Sequence, residues 1–93
     1  MNDEFEWDEA KAAESYAKHG VSFEMAIQVF KDPFAIERLD DREDYGEDRY
    51  ILIGMAEGAL LTVVHTERNG RIRIISARQA ARHEQDDYFV ENN

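Results

Sequence analysis

The chain has 93 residues, 43% of them hydrophobic, one proline and no cysteine, and its 21 acidic against 11 basic side chains give a net charge of −10. That length suits one small folded domain, residues 1–93, near the lower limit for a core without cross-links, and the missing cysteine excludes disulfides and thiolate metal sites. The acidic start Met-Asn-Asp-Glu-Phe-Glu-Trp lacks a signal peptide's apolar stretch and no run approaches the ~20 apolar residues of a membrane span, so a cytoplasmic protein with no membrane contact is expected.

Phe5, Glu6 and Trp7 alternate in polarity and predict a short edge strand. Asp8 reads as an N-cap, with Glu9 in the first turn, of a helix over residues 10–19; Gly20 holds the C-cap position behind Lys18 and His19. Ser22 caps a second helix, in which Phe23, Ala26, Ile27 and Phe30 recur at helical spacing until Asp32-Pro33 stops it. Residues 34–39 predict a strand, and residues 40–48, with six acids and one arginine, a loop. Three further strands are expected at 49–56, 59–67 and 71–77. Glu57-Gly58 joins the first two, and Asn69-Gly70, a strong two-residue hairpin signal, joins the second pair. Ser76-x-x-Gln79 has the form of a capping box and predicts a last helix running to about Phe89. This order gives an α+β domain, with helices on one face of an antiparallel sheet of four to five strands.

Charge is unevenly spread along the chain. Residues 1–48 carry fifteen acids and five bases, residues 49–83 two acids and six arginines, and residues 84–93 four acids, for −10, +4 and −4. The summed charge repels a polyanion and argues against broad nucleic-acid binding, while it invites a basic partner. The arginines nevertheless gather on one hairpin and the segment after it, and a guanidinium fork suits phosphate. Two-residue turns place Arg68 opposite Arg71, Thr66 opposite Arg73, Val64 opposite Ile75, Arg49 opposite Thr66 and Ile51 opposite Val64. Alternation then sets Arg49, Thr66 and Arg73 in a row on one face. Leu52, Leu61, Val63, Ile72, Ile74, Tyr50 and His65 share the other, which the helices should cover.

A solvated sheet face is the plain alternative for those arginines. His65 suits a packed core histidine as well as a proton carrier, and Glu67 a general base as well as a carboxylate closing the hairpin. His19 suits a helix end on dipole grounds alone. His19 and His65 lack ligands at helical spacing, the acidic loop lacks the calcium-site pattern, and His83 with Asp86 and Asp87 reads as a solvated face. No phosphate-binding glycine loop, nucleophile elbow or dinucleotide fingerprint is present, so neither metal nor cofactor is expected.

Phe5-Glu6-Trp7-Asp8, Lys11, Lys18-His19-Gly20-Val21-Ser22-Phe23, Val29-Phe30, Asp32-Pro33, Arg49, Gly54, the runs 63–68 and 73–78, Ala80, Glu84 and Tyr88 stand in an order and spacing that resembles the BrnT family, ribonuclease toxins of type II toxin–antitoxin modules. The resemblance spans about residues 5–88. It implies a RelE-like fold and metal-independent RNA cleavage, by attack of a ribose 2′-OH on the adjacent phosphate, that arrests translation. It also implies a hetero-oligomer with a ribbon-helix-helix antitoxin, a complex that represses its own promoter. On that pattern Arg49, Arg73 and Arg78 would clamp phosphate, with Arg68, Arg82 and Lys18 as further RNA contacts. Glu67, His65 or His19 would move protons, and Tyr88 would stack on or orient the RNA.

Two departures stand out. Ser15 occupies the place of an expected asparagine, and the last helix reads His83-Glu84-Gln85-Asp86-Asp87 where arginines are expected. Fewer cations weaken RNA binding. The alternative is therefore a catalytically weakened homologue, acting as a binding module and co-repressor with its antitoxin. From a different class comes an acidic interaction domain with no nucleic-acid role, against which the arginine row argues.

Overall fold

In the computed structural model, which describes residues 4–93, five strands form one sheet: β1 (Phe5–Glu6), β2 (Ile36–Asp40), β3 (Arg49–Ala56), β4 (Ala59–Arg68) and β5 (Arg71–Gln79). Their order is β1-β5-β4-β3-β2, and helices α1 (Glu9–His19), α2 (Phe23–Ile27) and α3 (Arg82–Glu91) pack around them. The α+β class is the one the pattern predicts. The sheet is mixed rather than antiparallel, because β1 runs parallel to β5, with Phe5 beside Ile72 and Glu6 beside Arg73.

Local chemistry sets the first two helices. The Asp8 carboxylate accepts from the Ala10 and Lys11 N–H groups at 2.8 and 3.2 Å, and Gly20, at φ 71°, closes α1 in the left-handed conformation. Ser22 Oγ accepts from Met25 N–H at 3.0 Å to start α2, which tightens into a 3₁₀ turn at Gln28–Lys31. Both hairpin turns carry two successive residues at positive φ, Glu57-Gly58 and Asn69-Gly70, the backbone of a type I′ turn.

The first hairpin keeps the expected register, Ile51 opposite Val64. The second keeps Arg68 opposite Arg71 and Thr66 opposite Arg73, then shifts between His65 and Val64, so that Val64 faces Ser76 instead of Ile75. This bulge reverses the face of every β5 residue beyond it. Ala77 is thereby buried in the core, and Arg78 falls opposite Thr62.

Each face of the sheet has its own apolar cover. Phe23, Ala26 and Val29 pack with Leu52, Leu61, Val63, Ile74 and Ala77 beneath the N-terminal helices. Tyr88 and Ala80 pack with Ile53 on the opposite face, flanked by Ile36, Ile51, Met55 and Leu60. The expectation of helices on one face is therefore corrected: α3 covers the second face, whose own isoleucines and methionine need burial.

The start of α3 is corrected as well. Residues 76–79 continue β5, since Arg78 and Gln79 pair with Thr62 and Leu61, and the Ala80 N–H donates to Leu60 O at 2.9 Å. The helix begins six residues past Ser76, at Arg82. Its N-cap, Ala81, has no side-chain oxygen. Glu84 supplies what half of a capping box would, accepting from the Ala81 N–H at 2.8 Å.

Beyond the two residues of β1, the outer edge of β5 is covered by α1. Ser15 Oγ lies 3.3 Å from Ala77 O and 3.4 Å from Ala77 N, so one buried hydroxyl donates to the carbonyl and accepts from the amide. It satisfies an edge that would otherwise lie buried and unpaired.

Candidate nucleic-acid interface

Two adjoining cavities run along the seam between α1 and β5. One, of about 220 Å³, is lined by Asp8, Lys11, Glu47, Arg49, Arg68, Arg73, Ile74 and Ile75. The other, of about 160 Å³, is lined by Lys11, Glu14, Ser15, Lys18, His19, Ile75 and Ser76. Lys11 and the bulge residue Ile75 border both, so the two form one groove. The groove exists because β1 is only two residues long and leaves the β5 edge to be covered at a distance by a helix.

This groove gathers five of the residues singled out from the sequence. Arg49, Arg68 and Arg73 lie at its hairpin end, and Lys18 and His19 at the far end of α1. Lys11 joins the two groups. It carries no ion pair among the described residues, and sequence reasoning gave it no role although its place one turn into the first helix was legible.

The arginines themselves are neutralised from within the chain. Glu6 of β1 lies 2.9 Å from Arg73 and 3.5 Å from Arg71. Glu47, at the end of the acidic loop, lies 3.0 Å from Arg68 and 3.5 Å from Arg49. The Arg68 guanidinium, and more weakly that of Arg49, holds the Glu47 carboxyl below the usual range. Tyr45 of the same loop sets its ring 4.1 Å from the Arg49 guanidinium, a cation–π contact. Neither carboxylate announced itself in sequence: Glu6 meets Arg73 only because β1 inserts parallel to β5.

The other five candidates lie elsewhere. Arg78 is at the opposite end of β5, roughly 15 Å of strand from Arg73, with both fork nitrogens on Glu84 at 2.7 and 2.9 Å. Burial would push the Glu84 carboxyl up, but Arg78, the Ala81 N–H and Thr62 outweigh it and hold it at about 2. Tyr88 is buried and its hydroxyl donates to Asp32 at 2.7 Å, which, after burial, raises its own ionisation to about 12. Arg82 is exposed on α3, 3.4 Å from Asp86. Glu67 is exposed at the end of β4 and borders neither cavity.

His65 is only 4% exposed. Its ring lies 4.8 Å from Phe30 and 5.6 Å from Tyr50, and Nε2 meets Glu37 at 3.3 Å. Burial pushes its ionisation below the usual value against the opposing pull of Glu37. That is the geometry of a packed core histidine.

A family model described as the ribonuclease toxin BrnT of a type II toxin–antitoxin system matches residues 7–84, which take in every residue lining the groove. The chain belongs to the BrnT family. The match ends two residues inside the α3 sequence after Arg82, so the acidic remainder of that helix lies outside the matched residues. A comparison with curated proteins finds no match. Membership of BrnT makes this chain a toxin-family protein of the ribonuclease class, with an antitoxin as its partner.

Proposed function

We propose that this BrnT-family chain is an endoribonuclease toxin that cleaves RNA without a metal ion, arrests translation, and is neutralised by a ribbon-helix-helix antitoxin. The observation that carries the reading is the convergence of Lys11, Arg49, Arg68 and Arg73 with Lys18 and His19 along one groove. Guanidinium and ammonium groups supply there the positive charge that a phosphoryl transition state needs. The ribose 2′ oxygen attacks the adjacent phosphorus as the bond to the 5′ oxygen breaks; one proton leaves the 2′-OH and another reaches the departing 5′ oxygen. Arg73, half-buried in the lining of the groove, holds the phosphate oxygens in this reading. Of the three proton carriers considered, His19 borders the groove, whereas His65 is buried and Glu67 stands outside it.

A second reading, the weakened homologue acting as a co-repressor, is favoured by one observation: Glu6 and Glu47 already hold the four hairpin and β3 arginines. Induced expression in a bacterial host lacking the antitoxin separates the two. Growth arrest and RNA decay from the wild type, lost in Arg73→Ala with fold and antitoxin binding retained, support the nuclease. Soluble, folded wild-type protein that leaves growth and RNA intact supports the co-repressor.

A further inference from the structure

Glu47 is unlike the other acids of the 40–48 loop. It borders both the groove and the cavity within the loop itself, and its two carboxylate oxygens reach two different guanidinium groups, Oε1 to Arg68 and Oε2 to Arg49. A carboxylate spanning two guanidinium forks stands where two oxygens of a phosphate diester would stand. The loop is fastened at this point by its neighbours. Tyr45 covers Arg49, and the Asp48 carbonyl accepts from Thr66 Oγ1 at 2.6 Å.

We propose that the Arg49–Arg68 pair is a phosphate subsite, separate from the Arg73–Glu6 position, whose resting occupant is the Glu47 carboxylate. An RNA phosphate enters it by displacing Glu47, so the loop sets the affinity of the groove. This proposal rests on the RNA-binding reading of the groove and adds a regulator to it. Exchange is feasible because both pairs are partly exposed, where an ion pair is weak enough to be outcompeted. It also lessens the salt dependence of binding: rising salt weakens the RNA contact and the internal competitor together.

The test compares wild type, Glu47→Gln and Asp41→Asn. Asp41 is exposed on the same loop and contributes the same charge without touching the arginines. Binding of a short, uncleavable 2′-O-methyl single-stranded RNA is measured by fluorescence anisotropy, and binding of inorganic pyrophosphate by shifts of the Arg49 and Arg68 side-chain N–H resonances. Glu47→Gln should bind both probes about fivefold more tightly, the scale of one exposed ion pair, with Asp41→Asn within about twofold of wild type. Equal or weaker binding by Glu47→Gln, or an equal gain in Asp41→Asn, overturns the subsite. RNA binding by wild type with no gain in Glu47→Gln leaves the RNA reading standing alone. Pyrophosphate binding that tightens in Glu47→Gln while RNA binds neither protein leaves the subsite standing without the RNA.

Discussion

Glu84 accepts both fork nitrogens of Arg78 on a carboxylate that is itself 7% exposed, and the same group takes the Thr62 hydroxyl at 2.9 Å and the Ala81 N–H. One side chain thus joins β4, β5 and the first turn of α3. Its carboxyl lies at about 2 when folded against an ordinary 4.5, so its contribution is complete above about 4.5 and is lost as pH falls from there toward 2. Glu84→Gln should cost about 2 kcal/mol at neutral pH, since Arg78 loses its charged partner. Urea unfolding at pH 7 and pH 3 checks both parts: the gap between variant and wild type should narrow in acid. A gap that stays constant would mean the charge on Glu84 is not what matters.

His65 predicts a dependence in a different window. Its folded ionisation lies below the ordinary 6.5, so the unfolded chain takes up the proton first. Stability is therefore full above about 6.5 and declines as pH falls below it. His65→Phe keeps a ring between Phe30 and Tyr50 and removes the titration. Unfolding free energies at pH 7.5 and 5.5 should differ less in that variant than in the wild type.

Gly54 has an ordinary backbone conformation, and its reason is space. A Cβ there would lie 2.9 Å from the Val29 side chain and 3.0 Å from Ala35 Cβ. Gly54→Ala should destabilise by about 1–3 kcal/mol, the cost of overpacking a tight core. Thermal unfolding reads this as a drop of several degrees for a chain of this size.

The Tyr88 hydroxyl shares Asp32 Oδ2 with the Met55 N–H. Tyr88→Phe should cost about 1 kcal/mol, because Asp32 keeps its two backbone donors. Growth arrest should be unchanged, as this ring lies away from the groove. Loss of toxicity from stable protein would instead place Tyr88 in the active site.

Both turns, the caps at Asp8 and Ser22 and the face of β3 were legible in sequence because each follows from a few adjacent residues. The β5 bulge was not, since it depends on whether the core accepts Ser76 or Ala77 after Ile74, a choice made by packing against α1. The false capping box at Ser76 and Gln79 has the same origin: pairing with Leu61 and Val64 outweighs a local helix signal. In the groove, the arginine row could be read from the two turns, but Glu6 lies 67 residues from Arg73, and Glu47, although two residues from Arg49, reaches Arg68 across 21. The isoleucines of the second face were visible, and they were the missed indication that α3 belonged there.

Cover for the two sheet faces comes from separate stretches of chain, so the molecule need not open all at once. Release of α3 would uncover Ile53 and its neighbours while the cluster around Phe23, Leu61 and Val63 stays shut. Amide hydrogen exchange should therefore be graded, with α3 exchanging through a local opening at lower free energy than β4, the central strand.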